Sequence, residues 1–241
     1  MFHPFWCLGA QRKGMVIYMN LNALLKKTAY LRRLSMKTLL EKLGRHFWST
    51  NSMMLLYRPA GKPLDKSLRK PCSGIFRVVT SEIVDDGTVL SETAPNGDWP
   101  AYCRTLLERG DVVRYGYLDG KCVFRHALRR GGTLSLSGRE YFQLGPEDGC
   151  AHASYCAPEA RGMGLHAEEL WWAAETFPNM TLYAEVKPEN AASLRGFFRA
   201  SYEPVALIWV KHRFFLRSRV HRRDYTPEEA REIVEKNLGN R

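Results

Sequence analysis

The stretch Ala151-His152-Ala153-Ser154-Tyr155-Cys156-Ala157-Pro158-Glu159-Ala160-Arg161-Gly162-Met163-Gly164-Leu165-His166 decides how this chain is read. An apolar run, Ala151 to Cys156, enters a turn with two glycines, and a helical run, Ala167 to Phe177, leaves it. Glycines in a strand-to-helix turn let the backbone curl tightly and point its amides outward. The helix that follows adds unpaired N–H groups and the positive end of its dipole at the same place. Such a construction binds an anion, most often phosphate.

Outward from this turn the pattern alternates strand and helix. Downstream, Thr181 to Val186 predicts a strand, Asn190 to Ala200 a helix, and Pro204 to Val210 and Phe214 to Val220 two further strands. A last helix opens at Thr226-Pro227-Glu228-Glu229, where a threonine cap, a first-turn proline and two acids agree. Upstream, Ile75 to Val79 reads as a strand, Asp85 to Trp99 as a loop, and Pro100 to Arg109 as a short helix ended by Gly110. Asp111 to Arg129 is a hairpin turning at Asp119-Gly120, a strong short-range hairpin signal, and Tyr141 to Leu144 adds a strand. Thr50 to Ser73 carries Pro59, Gly61, Pro63 and Pro71 amid lysines and reads as a connection holding one short strand, Met53 to Tyr57. The expected class is α/β, a mixed sheet of about six or seven strands flanked by helices. The expected division is a basic helical extension and linker over 1–70, the α/β domain over 71–225 and a C-terminal helix over 226–241.

The chain is 45% hydrophobic and 12% aromatic, enough for a packed core. Its net charge of +11 favours anionic partners. No nucleic-acid-reading module is visible, so no nucleic-acid partner is expected. Cys7, Cys72, Cys103, Cys122, Cys150 and Cys156 are scattered without CxxC spacing, which points to reduced cytoplasmic thiols and no metal site. Leu21 to Trp48 forms one or two basic helices, with Lys26, Lys27, Arg32, Arg33, Lys37, Lys42 and Arg45 against the single acid Glu41. Two readings stand for this segment: a helix on the anionic inner face of a membrane, or a helix packed on the domain with its basic side in water. Lys211 to Arg223 is likewise basic, as a surface for an anionic acceptor or as a solvated hairpin face.

Three nucleotide readings compete for the glycine turn. A P-loop fails because no Gly-Lys-Ser/Thr comes after it. A dinucleotide fingerprint is met by Gly162, Gly164 and Ala167, with Glu185 about twenty residues on, but Pro158 to Arg161 separate the strand from the first glycine. The third reading fits best. Pro158 to Gly164 resembles the acyl-CoA pyrophosphate loop of the GNAT (GCN5-related N-acetyltransferase) family, whose core is R/Q-x-x-G-x-G/A after a strand. That family also carries a strand, an asparagine and a helix further on, matched here by Tyr183-Ala184-Glu185-Val186 and Asn190-Ala191-Ala192-Ser193-Leu194-Arg195. The resemblance spans roughly Ile75 to Val220.

It implies a mostly antiparallel GNAT-like sheet and transfer of an acyl group, acetyl first, from acyl-CoA to an amine. Contacts to the acyl-CoA would come from Tyr155, Cys156, Arg161, Gly162, Met163, Gly164, Leu165, His166, Asn190, Ser193 and Phe197. His166 stands where the family has glycine or alanine. Phe197 stands where it often has the tyrosine that protonates the leaving thiolate, so the same features also fit an inactive domain that binds CoA or a partner. Tyr202 and Tyr155 are the substitutes for that acid. The residues themselves offer Glu185, on the strand beside the proposed cleft, and His152, alternating with Ser154 and Cys156 on one strand face, as the base. Each also has a plain structural role open to it, a sheet-edge charge for Glu185 and a hydrogen-bonded core residue for His152. Backbone amides of the Ala151 to Cys156 strand would meet the carbonyl oxygen.

Overall fold

The computed structural model describes residues 50–213 and 216–239, so the basic helices expected over Leu21 to Trp48 lie outside the described residues. The elements in chain order are β1 (Thr50–Arg58), β2 (Ile75–Val78), α1 (Trp99–Glu108), β3 (Val112–Leu118), β4 (Lys121–Leu136), β5 (Arg139–Cys156), α2 (Leu165–Thr176), β6 (Thr181–Val186), α3 (Ala191–Arg199), β7 (Glu203–Arg213), β8 (Leu216–Asp224) and α4 (Pro227–Gly239). They form one eight-stranded sheet in the order β2-β3-β4-β5-β6-β1-β7-β8. The ladders β2–β3, β3–β4, β4–β5, β6–β1 and β1–β7 are antiparallel, and β5–β6 is parallel. This is the mixed, mostly antiparallel sheet that was expected, and it is not the doubly wound parallel sheet that a dinucleotide fold requires.

Three elements differ from expectation. The short strand read inside the linker is β1, and it sits between β6 and β7 in the middle of the sheet. The compact unit accordingly begins at Thr50, within the stretch assigned to the extension. The two strands read at Tyr141 to Leu144 and Ala151 to Cys156 are one strand, β5, paired with an equally long β4. Val84–Thr93, read as loop, is a 3₁₀ turn whose Val84, Gly87 and Leu90 are buried. The Asp119-Gly120 turn is as expected, with φ of 49° and 75°.

The core divides along the sheet. On one face α2 and α3 bury Leu170, Trp171, Leu194, Phe197 and Phe198 against Leu56, Leu128, Leu182 and Ala184, with Ile233, Val234 and Leu238 of α4 packed beside them. On the opposite face α1 and the 3₁₀ turn cover β3 and β4. There Trp99 Nε1 donates to Tyr115 Oη at 2.8 Å, and the Arg125 guanidinium lies 3.8 Å above the Trp99 ring. The far end of the β4–β5 hairpin breaks register near Arg130 and Gly132 and lays Leu134, Leu136 and Leu144 over Leu55, Ala206, Ile208 and Val210. Its tip is tied down by a bond from Asn51 Nδ2 to Ser137 Oγ at 3.1 Å. At the C-terminus Thr226 and Glu229 cap α4 reciprocally, Thr226 N donating to Glu229 Oε2 and Glu229 N to Thr226 Oγ1.

Candidate active site

The parallel ladder between β5 and β6 runs from Asp148↔Thr181 to Ala151↔Ala184 and stops there. Beyond that point β5 continues to Cys156 on the β4 side alone. A gap therefore opens in the sheet where the two strands part, and some of the sequence-predicted residues flank it.

Within this last stretch of β5 lies an irregularity that the sequence does not announce. Ala153 has φ of 52°, and the β4–β5 register slips there, Arg125 facing Tyr155 but Ala127 facing His152. One extra residue in a strand reverses the faces of every residue after it. The alternation that would put His152, Ser154 and Cys156 together is thus broken. His152 shares a face with Arg125 and Tyr155, away from α2, and Cys156 pairs with Phe124 on the α2 face. Ser154 Oγ lies 2.7 Å from Nδ1 of His126, two residues along β4 from Phe124.

On the α2 face, the turn is built as the glycines imply. Gly162 and Gly164 have φ of 83° and 82°, and Gly164 is the left-handed residue from which α2 starts. A pocket of about 350 Å³ lies between this turn and α3. Cys156, Arg161, Gly162, Gly164, Leu165, His166 and Ser193, all among the candidate acyl-CoA contacts, line it. So do Lys70, Arg195, Gly196 and Arg199, which the sequence reading did not place at the site. Arg195 and Arg199 are four apart on α3, so they share a side of it, a spacing that could have found them. Lys70 sits in a lysine-rich connection with nothing to single it out. Four cations at a helix N-terminus make a site for a group with several negative charges.

Other expected contacts lie differently. Met163 is exposed on the turn. Asn190 caps α3, its side chain accepting from Ser193 N at 3.2 Å, and does not line the pocket. Phe197 is buried, its ring 5.1 Å from His166 and 5.0 Å from Tyr202. Tyr155 points to the other face and donates to Glu92 at 2.9 Å. Burial between α2 and α3 pushes the His166 pKa down to about 4 and leaves the ring neutral, so its backbone amide is the group that can face a phosphate. Tyr202, proposed as an acid, is 1% exposed and belongs to the core under α3, where burial raises its pKa and its hydroxyl has no partner. A group so enclosed cannot reach a thiolate at the gap.

On the other face, Ala151 and Ala184 are the last pair, and His152 and Glu185 are the next residues on the two strands as they part. His152 Nε2 lies 2.9 Å from Asp111 Oδ2. Asp111 is buried at the start of β3 and also takes bonds from Arg109. Burial would raise its pKa, but the bonds from His152 and Arg109 outweigh that and hold it below the usual carboxylate value. A buried, ionised aspartate fixes the histidine's orientation. Glu185 is half-buried beneath the hairpin and accepts from Tyr141 Oη at 2.8 Å. Burial raises its pKa, which brings a carboxylate nearer to useful basicity. No group of three metal-ligating side chains occurs among the described residues.

No family model matches the sequence, and no curated protein matches it. The similar solved structures include GNAT-family acetyltransferases. One, an acetyltransferase of that family from Colwellia psychrerythraea, is 14% identical over 74% of this chain and 57% of its own, with a TM-score of 0.49. Another is the GCN5-related glucosamine N-acetyltransferase region of a fungal multi-domain β-N-acetylglucosaminidase, 14% identical over 73% of this chain and 22% of its own, TM-score 0.49. A third is an aminoglycoside acetyltransferase solved with coenzyme A, 15% identical over 53% of this chain and 83% of its own, TM-score 0.42. This chain therefore spans little more than half the length of the first of these.

Proposed function

We propose that this chain is an acyl-CoA-dependent N-acyltransferase, with acetyl-CoA as donor and an amine as acceptor. One observation carries the reading. The gap where β5 and β6 part has a polycationic pocket on its α2 face and two basic side chains, His152 and Glu185, on the other. The residues present fit the donor. Lys70, Arg161, Arg195, Arg199 and the amides of the glycine turn would hold its phosphates, and the free edge of β5 faces the gap.

The thioester supplies an electrophilic carbonyl. An alkylammonium has a pKa near 10 and must lose its proton before it can attack. His152, oriented by Asp111, takes that proton, and Glu185 is the second base within the same mouth. Backbone amides of the β5 edge meet the carbonyl oxygen as charge develops. The four pocket cations draw on the same positive excess as the +11 net charge, so that excess is a weaker guide to an anionic acceptor. The scattered thiols, none of them paired among the described residues, fit a cytoplasmic setting. No helix among the described residues is long and apolar enough to cross a membrane.

Burial of both Phe197 and Tyr202 supports a second reading, a domain that binds CoA without turning it over. Calorimetry with CoA and with NADH, beside release of free thiol from acetyl-CoA across an amine panel, separates the two. CoA binding with thiol release is expected. CoA binding without release on any amine selects the inactive domain, and absence of CoA binding overturns both.

A further inference from the structure

The buried His126 has no part in the reaction so far, yet it holds an exposed residue at the gap. Its ring is 1% exposed, Nδ1 lies 2.7 Å from Ser154 Oγ, and Nε2 has no partner. The groups acting on it are His166 on α2, His152 on β5 and Arg114 on β3, and burial above all keeps the ring uncharged. A neutral imidazole carries one N–H. Placed on Nε2, that hydrogen would be a buried donor with nothing to bond. Placed on Nδ1, it is spent on Ser154, and only an acceptor lone pair is left over, which is the cheaper omission. Ser154 Oγ then accepts from His126, and its own hydrogen must point elsewhere.

Ser154 stands on the stretch of β5 beyond the last pair with β6. His126, on which His166 acts, faces the same α2 side, and His166 in turn packs edge-on against Phe197. The serine thus looks into the gap from the side where the resemblance would place a tyrosine. We propose that Ser154, oriented by His126, donates a hydrogen bond to the sulfur of the departing thiolate, replacing the acid that Phe197 cannot supply. This rests on the acyl-CoA reading above. In the step, the amine nitrogen bonds to the carbonyl carbon and the carbon–sulfur bond breaks with its electron pair on sulfur. The surplus amine proton goes to His152 or Glu185. Ser154 keeps its proton while bonded to sulfur, and the thiolate takes its own from water on release. Ser154 is a catalytic residue in this scheme and His126 a positioning residue.

The test needs no acceptor. Bound CoA is titrated by thiolate ultraviolet absorbance in the wild type, Ser154→Ala, Ser154→Thr and His126→Asn, with calorimetry at pH 6.5 giving affinity for the thiol form. A free thiol titrates near 8.5, and one hydrogen bond to a charged acceptor lowers that by about one unit. The expected result is a wild-type titration about one unit below that of Ser154→Ala at equal affinity. Threonine restores the wild-type value, and His126→Asn moves it toward that of the alanine variant. Coincident titrations of wild type and Ser154→Ala overturn the role of Ser154 and leave the acyl-CoA reading standing. Failure of the wild type to bind CoA overturns that reading and this proposal with it. Position 154 decides the outcome, and because it is exposed, alanine there opens no cavity in the core.

Discussion

Replacing Glu169 with glutamine should flatten the way stability falls with rising pH. Glu169 lies wholly buried on α2 and takes one bond, from Arg114 Nη1 of β3 at 2.9 Å, while its other oxygen is unpaired. Arg114 is buried too, its guanidinium 3.9 Å over the Trp172 ring. Burial raises the Glu169 pKa to about 7 against the pull of Arg114, and burial lowers that of Arg114. Both directions say that desolvation exceeds the mutual attraction. A carboxyl with a raised folded-state pKa binds its proton more tightly when folded. Its contribution is full below the ordinary value of 4.5 and is lost as pH rises through 7. The loss is on the order of 3 kcal/mol.

Glutamine mimics the protonated acid and keeps an acceptor for Arg114. Buried His126 and half-buried His166 act in the opposite sense. Their pKa values are depressed by burial, so their contribution is full above about 6.5 and lost as pH falls toward the folded value, about 4 for His166. They are common to both proteins and cancel in the difference. Denaturant unfolding of wild type and Glu169→Gln from pH 4.5 to 8 gives that difference directly. The variant should gain on the wild type as pH rises and level off above 7. Curves that stay parallel throughout would refute the dominance of burial over attraction in this pair.

Other outcomes are expected at the site. Arg195→Ala with Arg199→Ala should weaken CoA binding about tenfold and reduce its salt dependence, read by calorimetry at two ionic strengths; an unchanged Kd would remove them from the phosphate pocket. Gly164→Ala should lower stability by about 1–2 kcal/mol through its left-handed backbone. The new methyl would also crowd the Pro71 carbonyl at 3.3 Å, so Gly162→Ala, equally left-handed but with open space, should melt at a higher temperature. Asp111→Asn should cut kcat for acyl transfer about 100-fold or more while leaving the Kd for CoA unchanged, because it acts on His152 at the other mouth.

Features that depend on neighbours along the chain were legible in the sequence. The Asp119-Gly120 hairpin, the Thr226 capping box, the helix from Asn190 and the glycine turn all declare themselves within a few residues. Features that depend on partners brought in from afar were not. Met53 to Tyr57 looks like a scrap of strand in a linker because its neighbours are prolines and lysines, and only β6 and β7 make it central. Ala153 carries a left-handed φ that alanine has no reason to signal, so the separation of His152 from Ser154 was invisible. The burial of Tyr202 and the desolvation of the His166 ring are likewise a matter of what α2 and α3 pack upon.

The place of β1 also bears on how the chain comes to be folded. Its partners in β6 and β7 lie more than a hundred residues later, from Leu182 to Val186 and from Glu203 to Lys211. A ribosome emits Thr50–Arg58 before the other strands, yet those residues find no sheet to join until nearly the whole domain has emerged. The β3–β4–β5 meander can form meanwhile from local contacts, but the sheet closes only by a long-range pairing, and such pairings are slow. During synthesis the apolar run Met53 to Leu56 is therefore exposed, which makes it the natural segment for a chaperone to hold.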